Sequence, residues 1–314
     1  MFQKKTKYFI GPMSKNIVDA IIEFDGDFGF IPSRRQVDYN GGYVNNWSTD
    51  KFAKYVNGRV PIQRDHGGAG QGYKDDDGYE SFLSDSKYFD IIHIDPWKKY
   101  QKFNDGLKET LAAISYIHNM NEHVLFEVGT EEAIRKFTTN ELDKLLNELS
   151  KQPFFSNIAY AVVQSGVGLD LGNQVNTGTF DSEQLENMVS ICKNYGVKSK
   201  EHNGDYLSVK EYKDRFDLGL DSINIAPEFG QLETLCYLDE MGANIEDYYQ
   251  ICYDSKRWEK WVDKDFVPEN NKRELIKICG HYVFSNRQFL NIKPNIDNKI
   301  KKVIKDKLEH LKNA

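Results

Sequence analysis

The sequence lacks the features that mark a secreted, membrane-embedded or nucleic-acid-binding chain. Lys and Arg number 41 against 48 Asp and Glu, so the net charge is −7 and no basic field is available for nucleic acid or a membrane surface. Met1 to Lys7 carries cations, but no apolar stretch follows them and a signal peptide is not expected. No apolar run approaches the ~20 residues a helix needs to span a bilayer. The four cysteines, Cys192, Cys236, Cys252 and Cys279, are scattered without a CxxC pair. That excludes a zinc ribbon or a disulfide framework and fits reduced thiols in a cytoplasmic protein. A G-x-G-x-x-G after the first strand is also missing, and with it the mark of a dinucleotide-binding doubly wound sheet.

What is present is alternation. Short apolar strands at Tyr8–Gly11, Phe28–Ile31, Arg59–Arg64, Phe89–Asp95, His123–Val128, Asn157–Gln164, Val197–His202 and Ser222–Ala226 are each followed by a helical pattern. Ile17, Val18, Ile21 and Ile22 share one helix face, as do Leu142, Leu145, Leu146 and Leu149. Eight such repeats predict a (β/α)₈ barrel over residues 1–248. The stretch from Ser165 to Phe180, rich in Gly and Asn, reads as a loop. Residues 249–314 read as a helical extension: Trp258, Trp261, the Glu274 to Val283 segment and the Lys-rich Ile296 to Leu311 run all carry helical spacing. Its aromatics predict packing on the barrel or on another subunit.

A barrel gathers its strand ends around one pocket. The residues at those ends are Arg34, Arg35, Gln36, Asp65, His66, His93, Asp95, Glu127, Glu131, Gln164, His202, Asn203, Asp205, Asn224 and Glu228. Asp65-His66, followed by Gly67, Gly68, Gly70 and Gly72, places a carboxylate and an imidazole where a strand gives way to a pliable loop. His66 and His202 are credible ligands for a divalent metal. Asp65 and Glu131 are the proton carriers to consider. His93, between isoleucines, reads as a core histidine, and His118, His123, His281 and His310 as structural.

Six segments occur in order at strand ends: Gln36-Val-x-x-x-Gly-Gly-Tyr43, Asp65-His-Gly-Gly68, Ile92-His-Ile-Asp95, Val128-Gly-Thr-Glu131, Val162-Val-Gln-x-Gly-Val167 and Glu201-His-x-x-Asp-Tyr206. Together they resemble the GatZ/KbaZ-like family of tagatose-bisphosphate aldolase accessory subunits, related to class II aldolases. The resemblance implies a barrel with a divalent metal, zinc first, with manganese, cobalt or nickel as alternatives. It implies metal ligation by His66 and His202, with Gln164 where class II aldolases carry a further histidine. It makes Asp65 the proton-transfer group and Glu131 the acid on a moving loop. The Gly- and Ser-rich phosphate loop of the aldolases is replaced by Asn203-Gly-Asp-Tyr206. Arg34, Arg35, Gln36, Asp95, Asn203, Asp205 and Asn224 are the expected substrate contacts.

The implied reaction is retro-aldol chemistry on a ketose or ketose phosphate, ending in C–C cleavage or C4 epimerisation. The alternative is a non-catalytic subunit that stabilises a partner aldolase. The expected partners are a small sugar or sugar phosphate, with a homo-oligomer or an aldolase subunit as the assembly, and neither nucleic acid nor membrane.

Overall fold

A computed structural model describes residues 6–73 and 75–314; residues 1–5, most of the cationic start, lie outside that description. In chain order the strands are β1 (Tyr8–Ile10), β2 (Phe28–Phe30), β3 (Gln63–Gly67), β4 (Ile91–Ile94), β5 (Leu125–Val128), β6 (Ile158–Val163), β7 (Val167–Asp170), β8 (Val175–Gly178), β9 (Lys198–Glu201) and β10 (Ser222–Ile225). Eight of them form one parallel sheet in the order β2-β1-β10-β9-β6-β5-β4-β3. Its two edges meet through parallel bridges Phe30↔Ile62 and Ser33↔Asp65, which complete a (β/α)₈ barrel.

The helices on the outside are α1 (Lys15–Glu23), α2 (Thr49–Val56), α3 (Tyr79–Tyr88), α4 (Phe103–Met120), α5 (Thr139–Ser150), α6 (Ser182–Asn194), α7 (Val209–Asp217) and α8 (Pro227–Glu240). Their starts follow from local chemistry. Thr138 and Glu141 form a capping box at α5, as Ser208 and Glu211 do at α7. Pro227 opens α8, where its missing N–H is no loss. Ile17, Val18, Ala20 and Ile21 bury the inner face of α1, and Leu142, Leu145, Leu146 and Leu149 that of α5.

Beyond the barrel come α9 (Ile245–Asp254), α10 (Lys272–Cys279), α11 (Arg287–Ile292) and α12 (Asp297–Lys312). Ile300, Ile304, Leu308 and Leu311 of α12 are buried in the same hydrophobic cluster as the α1 and α8 side chains. No described helix is long and apolar enough to cross a membrane.

Three elements differ from the expected pattern. β3 starts at Gln63 and runs through Asp65 and His66, with a register shift between Arg64 and Gly67. The pair therefore sits in a bulge inside the strand, not after it. The expected 165–180 loop contains the antiparallel β7–β8 hairpin, with Gly166 just before β7 and Gly178 at the end of β8 at φ +80° and +83°. Around Trp258 and Trp261 only a 3-10 turn forms, Glu259–Trp261. Trp258 there packs its ring on Tyr253 and Phe266, so aromatic contact fixes the segment without a helix.

Candidate functional site: a histidine cluster at the barrel mouth

The lower barrel interior is charged but satisfied. The Lys200 ammonium lies 3.5 Å from the centroid of the Phe9 ring, 3.0 Å from Glu127 and 2.6 Å from the Gln63 side-chain oxygen. Gln63 donates its amide to the other side of the same arrangement, to Glu127 Oε2 at 2.6 Å. Burial brings the lysine down to about 8, against the pull of Glu127. Burial alone would raise Glu127, but Lys200, His93 and His202 hold it well below the usual carboxylate range.

Above this layer three imidazoles stand at the corners of a nearly equilateral triangle. The ring centroids of His66, His93 and His202 are 5.0, 5.0 and 5.1 Å apart. Each ring has one nitrogen engaged by an oxygen behind it. His66 Nδ1 meets Asp95 Oδ2 at 2.5 Å, His93 Nε2 meets the Gly129 carbonyl at 3.0 Å, and His202 Nε2 meets Glu127 Oε1 at 2.6 Å. Such contacts fix the tautomer and orientation of ligating histidines.

The second nitrogens of His66 and His202 turn toward Asp65, while His93 Nδ1 accepts from the His66 backbone N–H at 3.3 Å and lies 3.6 Å from Glu127 Oε1. His66 Nε2 is 3.4 Å and His202 Nδ1 3.9 Å from Asp65 Oδ1. One ligand atom from each of Asp65, His66, His93 and His202 can be chosen so that all lie within 4.8 Å of one another. Asp65 Oδ1 is buried and without a hydrogen-bond partner. An orphaned carboxylate oxygen facing three oriented imidazoles fits a divalent cation with nitrogen-rich ligation.

The backbone makes this convergence possible. His66 adopts φ +42° within the β3 bulge, and Asn203, directly after His202, adopts φ +62°. Non-glycine residues rarely occupy that region, and strain of this kind gathers at functional sites. Gly129 at φ +100° turns the end of β5 and presents the carbonyl that His93 uses.

Burial lowers His93 to about 4, so its ring is neutral at neutral pH, with the Nδ1 lone pair accepting the His66 N–H. His66 departs in the other direction. Burial opposes its charge, but Asp65, the Asp95 hydrogen bond and Glu131 raise it well above the ordinary imidazole value. The same electric field that holds a proton there favours a cation.

The structure sorts the expected site residues. Asp65, His66 and His202 come together. Glu131 lies beside them, 4.0 Å from His66 Nε2, with its other oxygen accepting from Asn203 Nδ2 at 2.8 Å. Asn224 is buried at the end of β10, with both amide atoms unpartnered. Arg35 and Gln36 line the cavity.

Other expected residues have different work. Gln164 does not face the cluster: its amide donates to the Thr130 and Arg135 carbonyls and its oxygen accepts from Phe137 N, which pins the loop after β5. Arg34 is buried against Asp38 and Asp76, and Asp95 supports His66 while accepting from Thr130 and Trp97 N. Asp205 accepts from Ala226 N and Glu228 N at the start of α8. His93, read as a core residue, is a member of the cluster. Its signal lay in Ile92-His-Ile-Asp95, where alternation sends both polar side chains inward.

A cavity of about 550 Å³ opens above the cluster, lined by Asp65, His66 and Glu131 below and by residues of the loops and of the 256–261 and 282 positions above. The class defined by this fold is the (β/α)₈ barrel with its polar residues at the C-terminal ends of the strands. No protein-family model and no curated protein matches the chain. Among solved structures it is similar to a probable tagatose 6-phosphate kinase from Sinorhizobium meliloti, with TM-score 0.69 and 14% identity over 95% of this chain and 87% of that one. It is similar to the fructuronate-tagaturonate epimerase from Cohnella laeviribosi, with TM-score 0.61 and 10% identity over 99% and 79%. It is also similar to the YdjI aldolase from Escherichia coli, with TM-score 0.54 and 13% identity over 97% and 90%. At these identities the likeness establishes a shared fold, and it is consistent with the aldolase-related resemblance carried by the motifs.

Proposed function

We propose that the chain is a metal-dependent enzyme of the retro-aldol type, acting on a ketose or ketose phosphate by C–C cleavage or C4 epimerisation. The observation that carries this reading is the cluster itself: three imidazoles, each backed by an oxygen acceptor, around the unpartnered Asp65 oxygen at a barrel mouth. The aldolase and epimerase among its structural neighbours support the same reaction class. His66, His93 and His202 would hold the cation, and nitrogen ligation favours zinc. Bound there, a divalent ion supplies electrophilic stabilisation of the charge that develops on the ketose C2 oxygen.

The protein's own groups move the protons. Asp65 accepts the proton of the C4 hydroxyl; the C3–C4 bond breaks, its electron pair passing toward the C2 carbonyl while C4 becomes an aldehyde. For epimerisation the aldehyde turns and the bond re-forms on its other face, with Asp65 returning the proton. For cleavage Glu131, steered by Asn203, delivers a proton to C3 of the departing fragment. Asp95, Gly129 and Glu127 keep the imidazoles oriented throughout.

The test is turnover of ketohexose 6-phosphates in heavy water. C4 inversion without deuterium at C4 fits a retro-aldol step, since the C4–H bond is never broken. Deuterium entering C4 contradicts it. Turnover that appears only when a partner aldolase is added transfers the chain to the accessory-subunit reading.

A further inference from the structure

The cavity above the histidines is electrically divided. Asp65 and Glu131 lie at its floor, whereas Arg35, Lys98, Arg257 and Lys260 lie along its rim beside Glu259, which is paired with Lys256 at 3.6 Å. Among the described residues none of these four forms an ion pair with a carboxylate, although the buried Arg64 and Arg215 each have one, to Asp85 and Glu201.

The rim cations are close neighbours. The guanidinium groups of Arg35 and Arg257 both lie over the Tyr73 ring, 6.0 and 4.5 Å from its centroid. Arg257 and Lys260 share the Tyr282 ring at 5.9 and 6.0 Å. Arg35 Nε is buried and has no hydrogen-bond partner. Lys98 donates to the Gly70 carbonyl at 2.8 Å, a neutral acceptor. Burial and then the charges of Arg35, Arg257 and Lys98 bring Lys260 down to about 8. Glu131 acts in the opposite sense on Lys260, as Asp95 does on Lys98, but neither carboxylate lies within ion-pair distance. Like charges gathered without a close counter-charge repel one another until an anion offsets them.

The turn after β9, where an aldolase-type phosphate loop would lie, is already committed. Asn203 holds Glu131 and Asp205 caps α8. Asp205 offers an anion only acceptor oxygens, and the Asn203 amide is already held by a carboxylate.

We propose that the rim is a phosphate subsite, in which Arg35, Lys98, Arg257 and Lys260 take the terminal phosphomonoester of a ketose whose keto end lies at the histidine cluster. Two guanidinium forks and two ammonium groups suit a dianion with three acceptor oxygens better than a single carboxylate. The cavity's ~550 Å³ lies in the range of small-molecule sites. Arg257 and Lys260 come from the segment after α9, so residues beyond the barrel build part of the substrate wall. This assignment rests on the ketose reading above, but it is tested without turnover.

Calorimetric titration of the full chain with inorganic phosphate tests it. Phosphate should bind the wild type, and Arg35→Ala and Arg257→Ala should each weaken binding by about tenfold or more with unchanged far-UV dichroism. The double variant His66→Ala/His93→Ala, stripped of two proposed metal ligands, should still bind phosphate. A ketohexose 6-phosphate should bind more tightly than the free ketohexose, by a margin that shrinks in Arg257→Ala. No phosphate binding by the wild type overturns the proposal. So does binding that is lost with the histidines and indifferent to the arginines, or a ketohexuronate held as tightly as the 6-phosphate. A chain that binds phosphate through the rim but never cleaves or epimerises a ketose keeps this subsite and loses the retro-aldol reading.

Discussion

The floor and the rim of the cavity handle polarity in opposite ways. At the floor each imidazole has a nitrogen engaged by Asp95, Gly129 or Glu127, His93 accepts from the His66 N–H as well, and a carboxylate oxygen of Asp65 is left without a hydrogen-bond partner. At the rim, among the described residues, four cations have no carboxylate within ion-pair distance, and Glu259 beside them is paired with Lys256. Adjacent residues show the same division: Arg34 is buried between Asp38 and Asp76, while Arg35 next to it keeps a buried, unpartnered Nε. Buried polar groups that serve only the fold find partners, because leaving them unpaired is costly. Among the buried groups without partners, Asp65 and Arg35 are charged side chains that line the cavity, and they are the ones to assign to ligands.

The comparison is broken most severely by touching the orphan oxygen. Asp65→Asn should keep metal and fold but cost turnover ~10²–10⁴-fold, the usual contribution of a general acid–base group. Steady-state rates beside metal analysis check this; a variant with wild-type turnover removes Asp65 from the chemistry. Glu127→Gln should weaken metal affinity ~10–100-fold by loosening His202, and it leaves Lys200 without its carboxylate. A stability loss of about 3 kcal/mol is expected in denaturant melts, as for other broken buried pairs.

The two arginines sharpen the contrast at lower magnitude. Arg34→Ala should destabilise the protein by roughly 3 kcal/mol, since it strands Asp38 beside the 68–76 loop. Arg35→Ala should be neutral or slightly stabilising, because it removes a repulsive charge. Equal losses in thermal unfolding would erase the distinction between structural and ligand-facing cations.

A further effect concerns pH. Burial, then the Glu228 charge, raises Asp205 to about 8. A carboxyl whose folded value lies above its unfolded one binds more protons when folded. Its contribution to stability is thus present at low pH and declines from about pH 4 up to about pH 8. Asp205→Asn should flatten that part of the stability curve, and an unchanged slope would show that Asp205 does not titrate there.

Much of the fold was legible because periodicity is local. All eight barrel strands could be read from spacing, and so could the buried faces of α1 and α5. The β3 bulge was not, because a register shift depends on the partner strand β4. Gln164 turns to the 130–137 loop for a similar reason, since packing settles whether a strand-end side chain faces the centre. His93 is buried with both ring nitrogens hydrogen-bonded, as a core histidine is, and also stands in the cluster. The rim was illegible in its C-terminal half, since nothing in the spacing of Arg257 and Lys260 places them over a barrel mouth built before residue 227.

The central claim is that His66, His93 and His202 hold one catalytic cation, and His93 is its most exposed point because sequence reading assigned it to the core. Elemental analysis of the purified wild type and of His93→Ala, each folded by far-UV dichroism, tests it most directly. About one divalent ion per wild-type chain, and its loss in His93→Ala, is the predicted result. Stoichiometric metal retained by His93→Ala, or none taken up by the wild type from a zinc-saturated buffer, would contradict it.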